Sequence, residues 1–361
     1  MPTKAEIRAE AARLQEIFAE KGALPVEAEI LQPADTLLDL YGEDIRARAF
    51  VTHDPLNGEM MLRPDFTVPV VQMHMDHGAE PARYVYSGEV FRRQEEDTGR
   101  PSEYYQVGYE VFDRGNPAET DAEVFALMSK ALKGLNVRAV TGDIGILAAA
   151  IEGLRTTDRR KAALRRHIWR PRRFRALIER YGGRTPVPFS RTALIAEADP
   201  MARATPLIGL RGADEIAERI EALRIDATEP PISSGEVDLL EDLLSTRQKS
   251  TAALNHLRDL AVDLPAIEPA VERLDARLSA LWAHGVNIDA LDFEAAYGRS
   301  SMEYYDGFVF GFYAVTEPNL PPIATGGRYD ALTERLGQGR TIPAVGGVIR
   351  PGLTLLLGDM A

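Results

Sequence analysis

Hydrophobic positions near the N-terminus follow a helical period. Across residues 4–21, apolar side chains recur at helical spacing with charged residues between them; they are Ile7, Ala11, Leu14, Ile17 and Phe18. Gly22 and Pro25 end this predicted helix. Residues 26–30 then alternate between apolar and acidic side chains, which predicts a strand that Pro33 closes.

The next part of the chain has the pattern of paired strands. Asn57-Gly58 lies between apolar runs and predicts a hairpin. Two longer strand candidates, 83–92 and 104–112, are separated by a polar loop at 93–103, which favours antiparallel pairing. A helix is expected over 118–135 because its apolar side chains fall on one face.

The middle of the chain changes character and is rich in Ala, Leu, Arg and Glu, which predicts helices. Strand-like runs return at 308–315 and 342–348. A mainly antiparallel sheet built from both ends of the chain, flanked by helices and interrupted by a helical insertion, is an α+β fold. The predicted division is 1–150 for the N-terminal part of the core, 151–290 for the insertion and 291–361 for the C-terminal part.

Composition narrows the class of protein. With 361 residues, 45% of them hydrophobic, the chain can form one large domain with a smaller insert. The absence of cysteine excludes a disulfide framework and thiolate metal sites. No signal-peptide core or apolar run of roughly 18 residues is present, so a cytoplasmic protein without membrane association is expected. A net charge of −13 disfavours broad contact with a nucleic-acid backbone.

Three segments resemble the motifs shared by class II aminoacyl-tRNA synthetases. The N-terminal helix, the strand after it and Pro33 resemble the dimer-forming element, which implies a homodimer. Residues 91–94 and 104–110 resemble the strand–loop–strand motif of histidyl-tRNA synthetase, in which Arg92 matches an arginine that meets the α-phosphate of ATP. Residues 343–346 resemble the start of the third motif.

The parts of that family that hold histidine are matched closely. Residues 62–67 resemble the segment that binds the α-amino group, with Asp65 in place of the usual glutamate, and residues 302–305 resemble the segment that closes over the imidazole. A histidine zwitterion needs an anion for its ammonium group and partners for two ring nitrogens. The candidate histidine-binding residues are Asp65, Thr67, Arg92, Gln106, Glu110, Tyr304 and Tyr305. No catalytic residue, metal or cofactor is expected.

The positions that bind ATP in that family carry different residues in this sequence. Gln94 stands where the family has a glutamate near the adenine, Ser300 replaces the catalytic arginine, and Leu353 replaces the arginine that grips the γ-phosphate. Arg299 is one residue from the lost position, which in an extended segment turns it to the opposite face. Losing two arginines that act in the transition state costs several powers of ten in rate, so adenylate formation should be lost or feeble.

Arg350 lies three positions before Leu353, and such a shift nearly restores the face of a helix. Pro351 and Gly352 disfavour a regular helix there, so its compensating role is left open.

The whole pattern resembles the regulatory subunit of the short-form ATP phosphoribosyltransferase, the first enzyme of histidine biosynthesis. The sequence stops after the third motif, so no anticodon-binding domain is expected. In that family a synthetase-like dimer assembles with separate catalytic subunits in a hetero-octamer, supports catalysis and conveys feedback inhibition by histidine. The alternative is a minimal histidyl-tRNA synthetase-like enzyme that activates histidine with ATP.

Several features have simpler interpretations. Tyr304 and Tyr305 could be strand packing, and the pocket could be a vestige kept for folding. Gly326-Gly327 could be a phosphate loop, although close backbone approach within a sheet is favoured. Arg92 could bind an anion or form a salt bridge.

The basic run at 159–175, with two aromatic residues interleaved, has a composition that nucleic-acid interfaces share, so such an interface is one interpretation of it. A solvated helix face, internal ion pairs or a patch for an acidic partner compete with it, and tRNA is not the expected partner.

Overall fold

The computed structural model describes residues 2–41, 48–94, 101–202, 208–209, 211–299 and 304–358. The described strands are β1 (Leu24–Pro25), β2 (Leu31–Pro33), β3 (Val51–Asp54), β4 (Gly58–Leu62), β5 (Ala82–Phe91), β6 (Glu103–Phe112), β7 (Val137–Asp143), β8 (Arg247–Lys249), β9 (Asp292–Glu294), β10 (Phe308–Ala314), β11 (Ala324–Arg328) and β12 (Ala344–Ile349). The described helices of the two core segments are α1 (Lys4–Ala19), α2 (Ala34–Tyr41), α3 (Thr67–His77), α4 (Pro117–Ala131), α13 (Asp330–Leu336) and α14 (Pro351–Gly358). Those between β7 and β10 are α5 (Ile144–Gly153), α6 (Asp158–Arg166), α7 (Pro171–Tyr181), α8 (Phe189–Ala196), α9 (Ala213–Thr228), α10 (Ser234–Ser245), α11 (Ser250–Asp263) and α12 (Glu268–Ala283).

One large sheet organises the fold, in the order β1-β5-β6-β12-β11-β10-β7-β9-β8. Its central strands pair antiparallel, and only the β1–β5 and β7–β9 ladders among those described are parallel. Strands β10 to β12 from the C-terminal part lie between β6 and β7 from the N-terminal part. The predicted α+β sheet assembled from both ends of the chain is therefore confirmed.

The first helix forms as its apolar spacing predicts. Thr3 and Glu6 make a capping box at its start, and the face that carries Ala11, Leu14 and Phe18 is buried. The prediction of a strand at residues 26–30 is wrong. The chain pairs on either side of that segment, with β1 in the large sheet and β2 in a separate small sheet, so the alternating residues form the crossing between two sheets.

The other predicted elements of the N-terminal half are confirmed. β3 and β4 form the hairpin around Asn57-Gly58, in a three-stranded sheet ordered β2-β4-β3. β5 and β6 form a ten-residue antiparallel ladder, while residues 95–100 of the loop between them lie outside the described residues. The helix predicted at 118–135 is α4, which ends at Ala131.

A buried ion cluster joins the two halves of the core. Asp121 on α4 accepts hydrogen bonds from Arg328 at 2.9 and 2.7 Å and from Arg277 on α12 at 2.8 Å. Arg277 also pairs with Asp143 at 2.8 Å. All four side chains are buried, so each charge depends on the others for the stabilisation that water would otherwise provide.

The basic run at 159–175 is divided between the interior and the surface. Arg160 is buried and pairs with Asp226 at 2.6 Å, which ties α6 to α9. Phe174 is buried in the core and Trp169 is half-buried against it, so neither ring forms an open stacking surface. The remaining exposed cations of α6 and α7 favour a solvated or partner-facing helix surface over nucleic-acid stacking.

Candidate functional site

A cavity of about 530 Å³ opens on one face of the large sheet, a size typical of small-molecule sites. Its floor is formed by β6, β11 and β12, and its walls by the segments before α3 and after residue 303. All seven predicted histidine-binding residues line this cavity. The structure thus brings together side chains that lie up to 240 residues apart in the sequence.

Strand alternation on β6 sets the chemistry of the floor. Side chains two residues apart share a face, which places Tyr104, Gln106 and Glu110 on the same side of the strand. Gly346 on β12 is the register partner of Glu110. A Cβ at Gly346 would lie 1.4 Å from Oε2 of Glu110, so only glycine leaves room for this carboxyl group.

Glu110 is a buried carboxyl group held by three hydroxyl donors. Its oxygens accept hydrogen bonds from Tyr329 at 2.5 Å, Tyr86 at 2.7 Å and Thr67 at 3.1 Å. Burial raises the pKa of Glu110 to about 7, against the lowering effect of these hydrogen bonds. The group can therefore exchange a proton with a ligand near neutral pH.

Gln106 lines the cavity from β6 and is fully buried. Neither Nε2 nor Oε1 of its amide has a hydrogen-bond partner among the described residues. Leaving a buried donor and acceptor unpaired costs roughly 1–3 kcal/mol each. The amide is therefore placed for a polar ligand that offers both a donor and an acceptor.

The segment before α3 carries a second carboxylate. Oδ1 of the buried Asp65 accepts a hydrogen bond from the amide of Val68 at 3.3 Å, which fixes it at the start of the helix. Arg63 holds this segment against β5 through a 2.8 Å bond to the carbonyl of Glu89. Arg92 donates from Nε to the carbonyl of Pro64 at 2.8 Å. A carboxylate and a guanidinium thus border the same cavity.

The paired tyrosines close the cavity from the other side. Tyr305 is buried, and its ring meets that of Tyr304 edge-on with centroids 4.9 Å apart. Burial, followed by the nearby charge of Glu110, raises the pKa of Tyr305, so it stays a neutral donor. A Cβ at Gly327 would lie 2.8 Å from the Tyr305 ring and 2.6 Å from the carbonyl of Phe308. The favoured interpretation of Gly326-Gly327 as a site of close approach is confirmed.

Comparisons with known proteins agree with this geometry. A family model described as histidyl-tRNA synthetase matches residues 1–224 and 217–351. An ATP phosphoribosyltransferase regulatory subunit from Brucella anthropi is 31% identical over 360 residues, covering 92% of this chain and 93% of the relative. One from Brucella canis is 33% identical over 345 residues, covering 89% of each. The chain belongs to the family of ATP phosphoribosyltransferase regulatory subunits.

A solved structure shows the shared fold. The protein from Bacillus halodurans, described as an ATP phosphoribosyltransferase regulatory subunit/histidyl-tRNA synthetase, superposes with a TM-score of 0.68 at 23% identity. The match covers 98% of this chain and 79% of that one. The predicted class II synthetase-like fold is confirmed.

The residues at or beside the positions of the two arginines that bind ATP in histidyl-tRNA synthetases do not face the cavity where the structure describes them. Arg299 is buried away from the cavity, where it donates to the carbonyl of Ile168 at 2.8 Å and stacks on Phe174. Residues 295–299 form a turn and not the extended segment on which its predicted orientation rested. Leu353 packs against the core from α14. Ser300 and residues 302–303 lie outside the described residues.

The expectation that Pro351 and Gly352 disfavour a helix is wrong. α14 begins at Pro351, because a proline in the first turn lacks only a donor that would have no partner within the helix.

Sequence reasoning did not predict Tyr329 and Arg350, which line the cavity, or Tyr86, which contacts Glu110 without lining it, as site residues. Tyr86 and Tyr329 hold Glu110 from β5 and from the residue before α13. Tyr329 lies two residues after the Gly326-Gly327 pair, whereas nothing local marks Tyr86. Arg350 could have been found by counting in twos from Gly346 along β12.

Gly346→Ala is expected to reduce at least tenfold the affinity for a ligand that contacts Glu110 and to lower stability by roughly 1–3 kcal/mol, because the added methyl group displaces the Glu110 carboxyl group. Titration calorimetry and urea denaturation would measure the two effects. Gly352→Ala is the matched control, since its Cβ meets Ile7 at an ordinary 3.5 Å and an alanine suits a helix. Unchanged affinity in Gly346→Ala would contradict the placement of the ligand against Glu110.

No helix in the described ranges has both the length and the apolar character needed to cross a bilayer. Across the same ranges, no three His, Asp or Glu side chains converge in a way that could hold a metal ion.

Proposed function

We propose that this chain is the histidine-sensing regulatory subunit of a short-form ATP phosphoribosyltransferase. It would assemble with a separate catalytic subunit, support the activity of that subunit and convey feedback inhibition by histidine. The complex would catalyse the first step of histidine biosynthesis in the cytoplasm. The observation that carries the proposal is the buried Gln106 amide, whose two polar atoms have no partner among the described residues.

The surroundings of Gln106 complement free histidine. Glu110 and Tyr305 provide an acceptor and a donor for the two imidazole nitrogens. The buried Asp65 provides the anion for the ammonium group, with Thr67 beside it. Charge-assisted hydrogen bonds of this kind contribute roughly 1.5–3 kcal/mol each.

We infer that adenylate-forming activity is absent from this chain. The burial of Arg299 against Phe174 and the apolar packing of Leu353 support this, because neither position offers a cation to ATP. The presence of Arg92 and Arg350 in the cavity favours a residual synthetase. Brisk histidine-dependent exchange of pyrophosphate into ATP would favour that alternative.

The assembly we propose contains a homodimer of this chain within a hetero-octamer. Exposed apolar side chains in the N-terminal part support a contact surface there; they are Leu24, Ile30, Leu31, Val51 and Leu56.

Tyr305→Ala is expected to abolish histidine feedback while leaving assembly intact, because the substitution opens the cavity without changing the sheet edges or the exposed helices. The test mixes the chain with the catalytic subunit and follows phosphoribosyl transfer with increasing histidine, and size-exclusion chromatography reports assembly. Wild type should activate the transferase and make it histidine-sensitive. A transferase that works fully alone, or a Tyr305→Ala complex that is inhibited as strongly as wild type, would refute the proposal.

A further inference from the structure

Arg350 reaches the cavity through strand alternation. Gly346 and Val348 on β12 line the cavity, and Arg350 follows in the same alternation at the end of that strand. Its amide donates to the carbonyl of Ile323 at 2.9 Å, and its guanidinium donates to the carbonyl of Pro322. Both the backbone and the side chain of Arg350 are thus held in place.

Two guanidiniums meet around one aromatic ring in this part of the cavity. The guanidinium carbon of Arg350 lies 5.6 Å from the centroid of Tyr104, and that of Arg92 lies 5.8 Å from the same centroid. Burial lowers the pKa of Arg350, and the positive charge of Arg92 lowers it further against the raising effect of Tyr104. Two nearby cations in a partly buried place favour an anion between them.

Glu110 and Arg350 enter the cavity from separate places along the sheet. Gly346 pairs with Glu110, and Arg350 follows the last residue of β12, four residues after Gly346, which is roughly 13 Å along the backbone at about 3.3 Å per residue. Free histidine, which spans about 6 Å from ring nitrogen to carboxylate by ordinary bond lengths, is short enough to bridge two side chains that enter one cavity from backbone positions this far apart.

We propose that Arg350, together with Arg92, binds the α-carboxylate of the amino acid whose imidazole contacts Glu110. This inference rests on the proposed histidine pocket and adds a specificity-determining residue to it. Arg350 then provides the positive charge for the carboxylate, because Arg299 is buried away from the cavity and Leu353 is apolar. The site selects a free α-amino acid over the corresponding amine, which lacks the carboxylate.

The test compares L-histidine with histamine, which keeps the imidazole and the ammonium group but has no carboxylate. Titration calorimetry is run on wild type, Arg350→Gln and Arg350→Lys. Arg350→Gln is expected to weaken histidine binding about 10- to 100-fold and to leave histamine binding unchanged, as expected for the loss of one charge-assisted hydrogen bond. Arg350→Lys should recover part of the histidine affinity because it keeps the charge.

Arg247→Gln is the matched control, because Arg247 also borders the cavity but pairs with Glu294 at 3.6 Å. It should leave both affinities unchanged. If Arg350→Gln weakens the binding of histidine and histamine equally, or weakens neither, the proposed carboxylate subsite is refuted but the proposed histidine pocket is not. If the wild-type protein binds neither compound, the proposed histidine pocket and the carboxylate subsite are both refuted.

Discussion

Glu110→Gln is expected to weaken histidine binding about 10- to 100-fold, as for the loss of one charge-assisted hydrogen bond, and yet to leave the protein as stable as wild type, or more stable, at pH 8. The substitution replaces a charged acceptor for the imidazole with a neutral amide, which is a weaker acceptor, and it also removes the cost of a buried negative charge. Burial raises the pKa of Glu110 to about 7 from its ordinary 4.5, so the folded protein holds this proton more tightly than the unfolded chain. Calorimetry and urea denaturation measure the two effects.

The sign of the pH dependence follows from that shift. Between pH 4.5 and 7 the native carboxyl group is protonated while the unfolded one is ionised, so the contribution of Glu110 to the free energy of unfolding falls as pH rises through this window. The total change is about 3 kcal/mol. Glu110→Gln should remove this slope, and a variant that unfolds several kcal/mol more easily than wild type at pH 8 would contradict the argument.

Glu123→Gln is the matched control for Glu110. Its carboxylate also accepts from a tyrosine, Tyr109 at 2.6 Å, but it pairs with Arg83 at 2.7 Å. The pKa of Glu123 is lowered because the hydrogen bonds from Arg83 and Tyr109 outweigh the opposing effect of burial. Its contribution to stability is therefore lost as pH falls, the opposite sign to Glu110. Glu123→Gln should cost stability at neutral pH and leave histidine binding unchanged.

Asp121→Ala is expected to lower the free energy of unfolding by about 3–5 kcal/mol, the cost of breaking a buried ion pair by removing one partner. Arg277 and Arg328 would both lose a carboxylate while remaining almost inaccessible to water. Urea denaturation at pH 7 measures the loss.

The control for Asp121 is Asp275→Ala. Asp275 pairs with Arg258 at 2.7 Å, but both side chains are about half exposed, so its loss should cost less than about 1 kcal/mol. Equal effects of the two substitutions would show that the buried cluster does not hold the halves of the core together.

The sequence by itself determined the elements with strong local periods, and it predicted seven of the residues that line the cavity. Helical and alternating periods are local properties, which is why α1, the β3–β4 hairpin and the β5–β6 pair could be predicted. The seven histidine-binding candidates were predicted from motifs, and all seven line one cavity. That they bind histidine remains a proposal.

Tertiary structure decided what local patterns leave open. Residues 26–30 alternate like a strand, but they cross between two sheets, and no local rule indicates where a partner strand lies. The pairing of Asp121 with Arg328 joins residues 207 positions apart. Arg299 and Arg350 are both close in sequence to a position where the related family has an arginine, yet Arg299 is buried against Phe174 and Arg350 faces the cavity. The direction of each side chain is set by the backbone that carries it and by the neighbours it packs against, and these exist only once the sheet is assembled.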